Sequence, residues 1–218
     1  MKKSLIAILI SVCLVLPLTG CGSTENSRTV HNPDGDTIAK LTVYATSERG
    51  KVAPLLAAAG HAYASIENVS GVEMILGKGY VLPAGATVTV GAWELDVHAG
   101  VWYNLEPTYI EQGWYTERKS VTRNIDEAAL SRMNAFLAND ENDVWTLFRN
   151  CTHFVTDLWN TASGDSGDEM NMSGKLTPAQ LIKQIKEFEG WEVGKPHISS
   201  EPIGYYVDSA FKEFKLVK

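Results

Sequence analysis

Two hydrophobic rhythms divide this 218-residue chain, and their order restricts what it can fold into. From Ala39 to about Leu105 the chain reads as β structure. Thr42-Val43-Tyr44 forms a first run, Gly60 to Glu67 a second, Val72 to Leu76 a third, then Thr87 to Val90 and Val101 to Leu105. Asn68-Val69-Ser70-Gly71 and Pro83-Ala84-Gly85 separate them. Short runs rich in β-branched and aromatic residues, punctuated by Gly, Pro and Asn, predict antiparallel strands. After Arg123 the period changes. Ala129, Leu130, Met133, Phe136 and Leu137 recur at helical spacing, with Asn124 or Asp126 available as a cap. Asn150 to Trp159 reads as a second helix. Thr177-Pro178 opens a third, with Leu181, Ile182, Ile185 and Phe188 on one face. Strands first and helices afterwards predict an α+β domain.

The first 20 residues belong to a different class. Lys2 and Lys3 precede an apolar run through Val15, and Leu18-Thr19-Gly20-Cys21 follows. A charged start, a short apolar core and a small-residue exit describe a secretory signal. The core is shorter than the roughly 20 apolar residues of a membrane span. Leu18 to Cys21 resembles the lipobox of bacterial lipoproteins, which implies a lipid on Cys21 as the first mature residue. The expected organisation is therefore a signal at 1–20, a lipidated flexible tether at 21–37 and one domain at 38–218. The tether is assigned on its polarity, which leaves little apolar surface to bury. The expected location is exported and held at the membrane through the Cys21 lipid.

Charge narrows the partners. Without Lys2 and Lys3, 17 basic residues face 26 acidic ones, a balance of −9. That disfavours nucleic acid or anionic lipid as the main partner. Of three cysteines, Cys13 leaves with the signal and Cys21 takes lipid, so Cys151 is the one free thiol of the exported chain. An unpaired thiol there is either inert and buried or reactive.

Its neighbourhood favours reactivity. In Asn150-Cys151-Thr152-His153-Phe154, Asn150 caps a helix and sets Cys151 in the first turn. Unpaired amides and the positive dipole end favour a thiolate there. The same amides suit an oxyanion when the thiolate attacks a carbonyl. A base must come from elsewhere in the fold. His31 falls in the tether and His197 in a polar stretch, while His153 is turned away from Cys151 by its spacing. His61 opens a β run after Gly60, which admits another backbone close by.

Gly60-His61-Ala62 on an early strand, followed by the Cys151 helix, resembles the circularly permuted branch of the papain-like, NlpC-type superfamily. The resemblance covers roughly residues 40–165. It implies an antiparallel sheet with the nucleophile-bearing helix packed against it, Cys151 as nucleophile and His61 as general base. It also implies a third polar residue on a strand beside the histidine. His98 is placed first for that role, with Glu73, Glu94 and Asp96 as alternatives; a turn near Val69-Ser70 would set His61 opposite about Lys78. Relatives of this kind resemble cell-wall peptidases and amidases on one side and lecithin:retinol acyltransferase-like enzymes on the other. The substrate expected is a peptide, peptidoglycan or acyl group. A binding lipoprotein that keeps the scaffold without catalysis is the rival reading. Trp93, Trp102, Tyr103, Trp114 and Tyr115 fit either a groove or the core. Asp165, Asp168 and Glu169 match no Ca²⁺ loop and are expected as solvated surface. No cofactor or metal is implied.

Overall fold

A computed structural model describes residues 27–47, 60–115, 117–171, 177–194 and 202–215. The signal, Cys21 and His197 lie outside these residues. Ten strands are described: β1 Ala39–Thr46, β2 His61–Asn68, β3 Met74–Leu76, β4 Tyr80–Leu82, β5 Thr87–Leu95, β6 His98–Tyr103, β7 Lys119–Ile125, β8 Glu192–Val193, β9 Gly204–Val207 and β10 Ala210–Glu213. The helices are α1 Glu106–Glu111, α2 Glu127–Ala138, α3 Cys151–Ser163 and α4 Pro178–Ile185. Eight strands form one sheet in the order β10-β9-β6-β5-β2-β1-β7-β8, and β3 and β4 form a separate hairpin. All the pairings between these strands are antiparallel. The fold is α+β, as expected.

Both sides of the sheet are covered at its centre, which is why β2 reads as an almost unbroken buried run. Leu41, Val43 and Ala45 of β1, with Ala62, Ala64 and Ile66 of β2, belong to the main core. There α3 supplies Val155, Leu158 and Trp159, α4 supplies Leu181 and Ile185, and α2 supplies Met133. The alternate residues Tyr44 and Tyr63 stack at 4.8 Å and cluster with Ile110 of α1. So α3 covers one side of the central strands and α1 the other.

The three expected helices begin within a residue or two of their assigned starts. Asp126, Asn150 and Thr177 cap them, Thr177 through a capping box with Gln180. Several expectations need correction. The turn near Val69-Ser70 leads into the β3–β4 hairpin rather than back along β2, so His61 does not oppose Lys78. His61 pairs with Thr46. The run ending at Leu105 does not close the sheet: α1 follows immediately, and β7, β8, β9 and β10 extend it. The β9–β10 hairpin turns through Asp208 and Ser209, both at positive φ, the two-residue turn that suits strand twist.

The described part of the 21–37 tether is docked, not free. Arg28 forms a bridge with Phe188, places its guanidinium 4.5 Å from that ring and donates to the Glu169 carbonyl. The His31 amide donates to Asp168 at 2.9 Å, and the Asn124 amide to Asn32 at 2.8 Å. Polar composition disfavours a core, but it supplies hydrogen-bonding groups that can seal one. Asp168 is likewise not solvated surface. It is 1% exposed, accepts from Ser163 and Ser166, and pairs with Arg123 at 3.4 Å.

Candidate active site

Asn150 builds the site's first half. Its side-chain oxygen accepts from the Thr152 amide at 2.9 Å and the His153 amide at 3.3 Å. Cys151 is thereby fixed in the first turn of α3, as its sequence context predicts. The cap engages two of the amides expected for an oxyanion, which leaves the amide of Cys151 itself as the one of that turn it does not take. Cys151 is buried and free of disulfide.

The second half is His61, the first residue of β2. Gly60 before it has φ +88°, and any β-carbon there would collide with the Thr46 carbonyl. Glycine lets β1 and the start of β2 close together and sets the imidazole at the sheet's end. His61 and Cys151 line the same cavity and interact electrostatically, and the Ala62 amide also favours the thiolate. The Thr152 hydroxyl lies 3.9 Å from the sulfur.

The third member is Glu106, the first residue of α1. Nε2 of His61 lies 3.4 Å from its Oε1. Glu106 is 0% exposed. Trp93 Nε1 donates to Oε1 at 2.8 Å and the Thr89 hydroxyl to Oε2 at 2.7 Å. A carboxylate can lie across β5 because residue 91 is glycine: a β-carbon there would strike Oε1. Asn104, just before α1, adopts φ 58°. Its side chain accepts from the Thr89 amide and donates to Tyr80 and to the Pro202 carbonyl. Asparagine tolerates this left-handed backbone, and here it turns the chain from β6 into α1 so that Glu106 faces inward.

The three groups reinforce one another electrically. Burial disfavours a charged His61, but the sulfur and carboxylate beside it prevail and raise its pKa from 6.5 to about 9. Burial likewise disfavours a charged Cys151. His61, the Ala62 amide and Thr152 outweigh it and hold the thiol below its ordinary value. The arrangement therefore favours thiolate beside imidazolium, with Glu106 behind the ring.

The other candidates go elsewhere. His98, placed first for the third position, has Nε2 3.0 Å from Asp143 and stacks on Tyr205 at 4.5 Å. Its Asp143 partner also accepts from the Val101 amide at 2.8 Å and from Lys78 at 3.1 Å, a staple that fixes the segment leading to α3. Glu73 lines a separate hollow beside α2, Asp96 lies exposed in a turn, and Glu94 stands at the edge of the Cys151 cavity without bonding His61. His153 Nδ1 lies 3.2 Å from Asn150, and burial lowers its pKa. Glu106 was not among the sequence candidates. Its one local signal is Glu-Pro directly after a β run, an acid at a helix start followed by a first-turn proline.

A cavity of about 190 Å³ opens over Cys151 and His61. Trp93, Tyr109, Trp114, Tyr115 and Trp145 wall it, so three of the five flagged aromatics line a groove. The other two, Trp102 and Tyr103, are buried against β9 and β10. Tyr115 holds φ 57°, rare for a bulky side chain, with its ring 5.4 Å from His61. Comparison with protein-family models, with curated proteins and with solved structures found no match for this chain.

Proposed function

We propose that the chain is an exported lipoprotein with a permuted papain-like arrangement, acting as a cysteine hydrolase on an amide or ester. The observation that carries this reading is the buried contiguity of Cys151, His61 and Glu106 at the floor of an open cavity. A structural cysteine has no need of a histidine held by a buried carboxylate.

The steps follow from the geometry. The Cys151 thiolate attacks the carbonyl carbon, and the carbonyl π pair moves onto oxygen beside the amide of Cys151. Protonated His61 gives its proton to the leaving nitrogen or oxygen as that bond breaks, and a thioester remains on Cys151. Water then loses a proton to His61 and attacks the thioester, which returns Cys151 as thiolate and His61 as imidazolium. Glu106 orients the ring and favours its charged form throughout. An alcohol or amine in place of water would make the same apparatus an acyltransferase. A peptide, a peptidoglycan stem or an acyl ester meets this chemistry.

Cys151→Ala and His61→Ala should each lower amide or ester hydrolysis by about 10³-fold or more while the circular dichroism spectrum stays native. The double variant should lose little beyond either single one, because groups acting as one unit are strongly non-additive. Undiminished turnover in Cys151→Ala would remove the proposal.

A further inference from the structure

The cavity over Cys151 carries more information than the reactive groups beneath it. Trp93 stacks on Tyr109 at 4.8 Å, and Tyr109 meets Trp114 at 4.8 Å. These rings form one continuous wall contributed by β5, α1 and the segment after α1. Trp145 comes from the segment leading into α3, where its amide donates to the Ala99 carbonyl at 3.3 Å. The Asp143 staple two residues earlier holds that segment against β6. Among the described residues, the lining has no Lys or Arg, and its one acid is Glu94.

From these walls and this size we infer that the cavity takes a single uncharged apolar group, an aromatic ring or a short alkyl segment, next to the scissile bond, with Trp145 limiting its length. The inference rests on the hydrolase reading and names its substrate class. A substrate carboxylate placed there would lose its water and find no Lys or Arg among the described lining; the His61 imidazolium is already matched by the Cys151 thiolate and Glu106, and Glu94 would repel it. An apolar group loses nothing by leaving water and gains ring contacts. Size sets the other bound. A dry cavity of about 150 Å³ is enough for benzene, whereas pockets for drug-sized ligands start near about 300 Å³. At about 190 Å³ the space suits one ring or a short chain.

The test uses chloroacetamides, which place a reactive carbon at Cys151 and a variable group in the cavity. Sulfur forms the S–C bond, and chloride leaves with the C–Cl pair. N-benzyl, N-hexyl, N-dodecyl and N-(ω-carboxypentyl) chloroacetamide are compared at neutral pH on the full exported chain, each rate measured to saturation. Hexyl and ω-carboxypentyl match in length, so their ratio isolates charge. We expect benzyl and hexyl to exceed ω-carboxypentyl by about tenfold or more, the scale on which a pocket rejects a mismatched group. Dodecyl should gain nothing over hexyl, and in Trp145→Ala dodecyl should overtake it. Equal or faster reaction of the carboxylate probe, or a dodecyl gain in the unmodified protein, would overturn the inference. Iodoacetamide, which fills no pocket, separates the two failures. A low-pH Cys151 reactivity that depends on His61 keeps the hydrolase reading even where the probe ranking goes wrong.

Discussion

Cys151 and His61 were legible as residues because their signals are local. A capping asparagine before a cysteine, and a glycine before a strand-borne histidine, each act over two positions. Glu106 was not, because its role depends on three residues of β5: Thr89 and Trp93 donate to it, and Gly91 leaves it room. No spacing in the sequence announces that row. The carboxylate has a defined electrical effect, since its charge and hydrogen bond help lift His61 to about 9. A raised histidine contributes stability that is complete below its ordinary 6.5 and is lost as pH rises through about 9. On the hydrolase reading, the same titration would set the alkaline limit of turnover, because the leaving group needs the imidazolium proton. Glu106→Gln should therefore move the alkaline limb of kcat/KM to lower pH and reduce kcat by about an order of magnitude or more. An unmoved alkaline limb would show that Glu106 only packs against the ring.

At the scale of elements, the start of α3 does two jobs with one side chain. Asn150 caps the helix and fixes where Cys151 stands relative to His61. Asn150→Ala should lower stability by about 0.5–2 kcal/mol in denaturant unfolding, the usual cost of losing such a cap. It should also slow Cys151 alkylation at neutral pH, and Asn150→Ser should restore both. Loss of stability with unchanged alkylation would separate capping from positioning. Helices α2, α3 and α4 were legible because caps and apolar spacing lie within one element. The strands β7 to β10 were missed for the opposite reason. β8 has two residues and β9 and β10 four each, and their identity comes from the neighbours they pair with. The six-residue α1 is too short to show a period, yet it carries Glu106.

For the whole molecule, the docked arm gives the domain a direction. Residues 28–32 bind beside Asp168 and Glu169, beyond the C-terminal end of α3, while Cys151 stands at that helix's N-terminal end. On the lipoprotein reading, a lipid on Cys21 lies within seven residues of Arg28, at most about 25 Å of extended chain. On that reading the anchor would join the domain at the end of α3 away from the cavity. Cys21→Ala should abolish fatty-acid labelling and leave uncleaved precursor; persistent labelling would remove the lipoprotein assignment. The fold class was readable from the order of strands and helices, whereas the arm's docking was not, since it depends on partners about 140 residues away in sequence. The central claim is that Cys151 and His61 form one reactive pair, and the pH dependence of Cys151 alkylation tests it most directly. The unmodified protein should react well below the ordinary thiol range, His61→Ala should shift the profile upward, and His153→Ala should leave it nearly unchanged. A profile that moves with His153 and ignores His61 would contradict the pairing on which the proposed function rests.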